Sequence, residues 1–155
     1  MKSIGKISFL VLFLVLVLSS CNQRTNSVES IQFKDYSMDS GDFIYFRVEI
    51  SDPNEKNDIY FSARFSHRYI LQHLPLEIVY ISPSGKRYSD ITDLPLIGKD
   101  KYIEFNKQGV WRDYRWLHKR GVVFPEKGVW MIRVSNTHIK RVNGIKELGL
   151  TMRKS

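Results

Sequence analysis

The chain has 155 residues, with 24 Lys and Arg against 16 Asp and Glu and a formal charge of +8. Its single cysteine, Cys21, excludes an intramolecular disulfide, so the core must hold by packing alone. The length suits one domain, and no nucleic-acid-binding motif accompanies the basic excess, which argues against a nucleic-acid partner.

The N-terminus reads as an export signal. Lys2 and Lys6 precede an unbroken apolar run from Phe9 to Leu18, followed by Ser19-Ser20-Cys21. Positive, apolar, small, cysteine is the order of a bacterial lipoprotein signal, with cleavage between Ser20 and Cys21. The apolar stretch is shorter than the roughly 20 residues of a membrane-spanning helix. The Cys21 thiol is the group that takes a diacylglycerol thioether, and lipidation explains a lone cysteine in an exported chain. Residues 1–20 are therefore expected to be removed, and the mature chain to hang from a membrane by acyl chains on Cys21. Without Lys2 and Lys6 the mature part keeps +6. That excess suits anionic partners such as phosphorylated headgroups or an acidic protein, or simply a solvated basic surface.

Residues 21–29 are polar and read as a flexible tether. From residue 30 to 155 the pattern is that of strands. Phe43 to Ile50 alternates, with Ile44, Phe46, Val48 and Ile50 on one face. Asp52 to Asp58 is a loop, and Ile59 to Phe65 repeats the alternation with Ile59, Phe61, Ala63 and Phe65 inward. Leu76 to Ile81 turns through Pro83-Ser84-Gly85-Lys86 into Arg87 to Ile91. Pro75 and Pro95 suit strand starts or edges. Tyr102 to Phe105 is a short strand, and segment 92–120 reads as a long functional loop. Gly121 to Phe124 leads through Pro125-Glu126-Lys127-Gly128 into Val129 to Asn136, with Trp130, Ile132 and Val134 on one face. Leu148, Leu150 and Met152 share a face of the last strand. About eight short strands with turn signals between them predict an all-β, single-domain antiparallel sandwich.

The stretch Trp111 to Arg120 mixes large aromatics with arginines, the composition of binding hot spots. Trp111, Arg112, Tyr114, Arg115 and Trp116 are the candidate partner-binding residues, with stacking on a glycan ring as the alternative use of the aromatics. As a strand, the stretch puts Trp111, Asp113 and Arg115 on one face and Arg112, Tyr114 and Trp116 on the other; the alternative to a binding role is that one or both tryptophans fill the core. His67, His73, His118 and His138 lack zinc-protease spacing; if the run from His67 to His73 is a strand, those two share a face. Asp90, Asp93, Asp100 and Glu104 are the acids a glycoside hydrolase would pair, and no nucleophile elbow is present. No catalytic residue, metal site or cofactor is assigned, and a binding role is expected in place of an enzyme.

Val123-Phe124-Pro125-Glu126-Lys127-Gly128, the strand after it, and Gly144-Ile145-Lys146-Glu147-Leu148-Gly149-Leu150 together form a pattern. It resembles the gliding-motility lipoprotein family of Bacteroidetes, the GldH type, in which a Phe-Pro-x-x-Gly turn precedes a strand and a Gly-bounded strand closes the domain. Ile59 to Arg64 with Tyr69 and Leu74, and the turn Pro83-Ser84-Gly85-Lys86, extend the resemblance from about Ile31 to Arg153. It implies an outer-membrane lipoprotein that assists the gliding and type IX secretion machinery through other envelope proteins. It carries over no catalytic residue. Some hosts of the family do not glide, and there the implied role is a different one in the envelope. Acidic residues just after the lipidated cysteine direct such proteins to the cell surface; none follows Cys21, which implies a periplasm-facing protein.

Overall fold

The computed structural model describes residues 27–98, 104–138 and 140–155. Ser20, Cys21, the export signal and the tether as far as Asn26 lie outside the described residues. Among the described residues the strands are β1 (Ser27–Gln32), β2 (Ser37–Met38), β3 (Phe43–Ile50), β4 (Lys56–Ser66), β5 (His73–Ile81), β6 (Arg87–Pro95), β7 (Glu104–Gln108), β8 (Trp111–Val123), β9 (Gly128–Asn136), β10 (Val142–Asn143) and β11 (Ile145–Lys154).

The strands form two antiparallel sheets. One runs β1-β11-β4-β8-β7 and the other β3-β9-β5-β6, while β2 and β10 make a two-residue ladder. Four pairings nest inside one another: β5 with β6, β4 with β8, β3 with β9, and β1 with β11. The chain is thus one long antiparallel ribbon whose successive pairs fall alternately in the two sheets. That is jelly-roll topology, a form of β-sandwich. The all-β antiparallel sandwich expected from sequence periodicity is present, with eleven strands among the described residues where about eight were expected, and β7 adds an edge strand.

Alternation decides the core. Ile44, Phe46, Val48 and Ile50 of β3 are buried and the residues between them exposed. Each such side chain adds roughly 1.5–3 kcal/mol when fully buried. Ile59, Phe61, Ala63 and Phe65 of β4 face them from the other sheet, joined by Trp130, Ile132 and Val134 of β9 and Leu148, Leu150 and Met152 of β11. One position needs a correction of phase. Ile145 and Leu148 are both buried although three apart, and the pairing of β11 with β4 slips between Ile145 and Glu147. The bulge at Lys146 absorbs the odd residue.

Several expectations change. Lys56 to Asp58, read as the end of a loop, already belong to β4. Ser27, Val28 and Glu29, read as tether, are already in β1 and pair with Met152, Thr151 and Leu150. An edge strand pairs through its backbone, so polar side chains do not prevent it; the Glu29 carboxylate also accepts from the Arg47 amide at 2.5 Å. Segment 92–120 is not one long loop, because β6 runs on to Pro95 and Trp111 to Val123 form β8. Gly121 to Val123 are the end of β8, and the short strand read at Tyr102 to Phe105 appears as Glu104–Gln108, with Tyr102 outside the described residues.

Candidate functional site

The structure divides the candidate binding residues between two faces of β8, as strand parity requires. Tyr114 and Trp116 point inward and are buried, Trp116 at 2% exposure. Their rings stack at 5.6 Å, and Trp116 Nε1 donates to the Pro95 carbonyl at 2.8 Å. Arg112 Nη2 donates to the Ser66 and Tyr69 carbonyls at 3.2 and 3.0 Å, tying down the chain after β4. Tyr114 and Trp116 are therefore core and offer no stacking platform to a glycan.

Trp111, Asp113 and Arg115 lie on the outer face of the five-stranded sheet. The Arg115 guanidinium sits 4.7 Å over the Tyr60 ring, and Arg153 approaches the same ring at 5.5 Å. Arg64 holds Asp113 through two bonds of 2.5 and 2.8 Å. Lys146, turned outward by its bulge, lies 4.6 Å over Trp111, whose ring also meets Tyr36 at 5.7 Å. This face is a ladder of cations and aromatic rings across β11, β4 and β8.

A second site, which motif reading missed, opens at one edge of the sandwich. Tyr88 and Asp90 of β6 stand opposite Tyr80 and Ile78 of β5, so they share their inward face. Yet Tyr88 is 46% exposed. Among the described residues β7 pairs only with Trp111–Arg115, which leaves the rest of β8 as the edge of the facing sheet. The result is a cleft of about 360 Å³ lined by Tyr80, Tyr88, Lys119, Val122, Phe124 and Trp130 among others.

A β-bulge equips this cleft. In the pairing of β8 with β4, Tyr60 faces Leu117 and Ile59 faces Lys119, so His118 is the extra residue. A bulge turns neighbouring side chains to the same side of a strand. His118 and Lys119 both reach Asp90: Lys119 Nζ lies 2.9 Å from Asp90 Oδ2, and His118 Nε2 lies 3.2 Å from it without hydrogen-bond geometry. A second slip between Asn57 and Ile59 is closed by Gly121, at φ +64°, whose amide donates to Asp58 Oδ1 at 2.8 Å.

The electrostatics follow from burial and partners. Burial pulls the His118 imidazole below its ordinary value, against the pull of the Asp90 charge. Desolvation raises Asp90, but the Lys119 hydrogen bond and charge, with His118, hold its carboxyl below the usual range. Tyr80 is pushed upward by burial, and its buried Oη has no hydrogen-bond partner among the described residues. The aromatic floor is fixed: Trp130 stacks on Tyr88 at 6.1 Å, meets Phe124 edge-on at 4.9 Å, and donates from Nε1 to the Glu126 carbonyl at 2.8 Å. Tyr80 and Tyr88 stand four residues either side of Ser84, the centre of the hairpin, so hairpin register alone brings them together. The bulge at His118 leaves no such signal.

The remaining candidates disperse. His67 lies in the turn after β4 and His73 starts β5, so no strand joins them; His73 pairs with Asp93. Asp90 and Asp93 occupy opposite faces of β6 and cannot act as a carboxylate pair, and Asp100 lies outside the described residues. Among the described residues no group of three or more His, Cys, Asp or Glu side chains is placed to hold a metal ion.

No family model matches the chain, and no curated protein matches it. Solved structures with a similar course include the Yersinia pseudotuberculosis-derived mitogen, at 5% identity and TM-score 0.36 over 84% of this chain and 86% of that one. A serine protease of Aeromonas sobria gives 14% identity and TM-score 0.37, over 90% of this chain but only 29% of its own. A family 35 carbohydrate-binding module from Clostridium thermocellum gives 11% and 0.37, over 81% and 90%. At these scores no function passes from them to this chain.

Proposed function

We propose that this chain is a lipid-anchored, non-catalytic interaction protein of the cell envelope. The Cys21 thioether holds the jelly roll at the outer membrane, facing the periplasm. There it docks another envelope protein on the outer face of the five-stranded sheet. The observation that carries the docking reading is the Tyr60 ring, which both Arg115 and Arg153 approach on that face. Arginine and large aromatics dominate interface energetics, and cations already seated on rings bind without losing much side-chain freedom. Anchoring adds affinity by raising local concentration beside membrane-bound partners.

The sequence resemblance to the gliding-motility lipoprotein family supplies the setting: a component of the gliding and type IX secretion machinery, or another envelope role in a host that does not glide. Anchoring is tested by labelling cells with radioactive palmitate and fractionating their membranes. The full chain should carry label and sediment with outer membrane, and Cys21→Ala should lose both. An unlabelled wild-type chain, or a sedimenting Cys21→Ala form, would refute the anchor.

A further inference from the structure

We propose that the cleft under β6 binds a neutral sugar ring of a glycan. This goes beyond the docking reading and uses a different surface. Three observations carry it.

The first is a preorganised aromatic wall. The Tyr88 ring lies at the mouth, and Trp130, 1% exposed and tied to the Glu126 carbonyl, backs it. The apolar CH face of a pyranose packs on such a ring. A wall already locked by packing loses little freedom on binding. The second is the polar group opposite. The Asp90 carboxylate, on the inward face of β6, accepts and holds at 2.9 Å the Lys119 ammonium, which donates and lines the cleft because of the bulge at His118. Adjacent hydroxyls of one sugar can donate to the first and accept from the second. The third is Tyr80 Oη, buried and without a partner among the described residues, on a residue that lines the cleft. A buried hydroxyl without a partner calls for an explanation, and a ligand hydroxyl supplies one.

Charge selects the class of ligand. Asp90 opposes an anionic ligand and Lys119 a cationic one, while a neutral polyol meets both without leaving either unpaired. The volume, about 360 Å³, falls at the lower end of ligand sites, which run roughly 300–1,000 Å³, and suits one or two rings. The open sides of the cleft allow the rest of a longer chain to pass out.

The test uses the detergent-solubilised full chain on an array of neutral oligosaccharides of the gluco-, galacto-, manno- and N-acetylglucosamine series, with polygalacturonate as the charged control. Hits are measured by calorimetry. The expected result is binding to at least one neutral series and none to polygalacturonate. Tyr88→Ala and Asp90→Asn should each weaken it at least tenfold with the near-ultraviolet dichroism unchanged. Tyr60→Ala, on the docking face, should leave it intact. Silence across the neutral array, equal binding of polygalacturonate, or full affinity in Tyr88→Ala or Asp90→Asn would overturn the proposal. None of these outcomes bears on docking through Tyr60.

Discussion

Lys119 Nζ lies 2.9 Å from Asp90 Oδ2, a bond between the two sheets that exists because β8 carries one residue more than β4 at His118. Asp90 is on an inward-facing position of an edge strand, where an unpaired carboxylate would be costly. Lys119→Met should therefore leave Asp90 without its main partner and return its carboxyl toward the ordinary range. NMR titration of the Asp90 carboxyl carbon measures this, and an unchanged midpoint would contradict the assignment.

The same cluster sets a pH dependence. The His118 imidazole is held below its ordinary value by burial, so the unfolded chain takes up its proton first as pH falls. Stability is then full above about 6.5, the ordinary imidazole value, and declines below it. Urea denaturation midpoints at pH 7.5, 6.5 and 5.5 should fall in that order, and His118→Gln should flatten the decline. Asp58, lowered chiefly by the Ser155 hydrogen bond, Asp90, lowered by Lys119, and Glu126, lowered chiefly by Ser84, add a further loss. It sets in as pH falls through the ordinary carboxylate range, because there the unfolded chain takes up protons that the folded carboxyls still refuse.

The two faces of β8 should differ sharply under truncation. Trp116→Ala empties a buried site and strips the Pro95 carbonyl of its donor, at a cost of about 3–5 kcal/mol. Trp111→Ala removes a half-exposed ring from the outer face and should cost less than about 1 kcal/mol. The Arg64–Asp113 pair is also partly exposed, and Arg64→Met should cost only about 0.2–1 kcal/mol. Chemical denaturation separates these, and a Trp111→Ala loss as large as that of Trp116→Ala would contradict the assignment of faces.

Two glycines test backbone and space separately. Gly85 has φ +85° with nothing near an added Cβ, so Gly85→Ala should cost about 1–2 kcal/mol for the left-handed conformation alone. Gly144 has φ +90° and a Cβ there would run into the Arg68–Tyr69 backbone. Gly144→Ala should therefore lower the thermal midpoint by clearly more than Gly85→Ala.

Much of the sandwich was legible, because period-two alternation and turn chemistry act locally. Phe43 to Ile50, Ile59 to Phe65 and the Pro83-Ser84-Gly85-Lys86 hairpin needed no long-range information. β8 was harder to read: a strand covered on its inner face and carrying arginines outside looks, as letters, like a polar loop. The nesting of β1 on β11 and β3 on β9 depends on partners far apart in the chain. The bulge at His118 depends on the length mismatch between two paired strands. No spacing in the sequence brings Asp90 and Lys119 together, and so the cleft had no motif.

The docking claim is tested most directly by capturing partners of the C-terminally tagged chain from gently solubilised outer membrane and identifying them by mass spectrometry. Wild type should retain a small, constant set of envelope proteins, motility or secretion components among them in a gliding host. Tyr60→Ala and Arg115→Ala should lose that set, while Tyr88→Ala keeps it. Recovery of the chain alone, or an identical set from the Tyr60→Ala and Arg115→Ala forms, would contradict docking on the outer face of the five-stranded sheet.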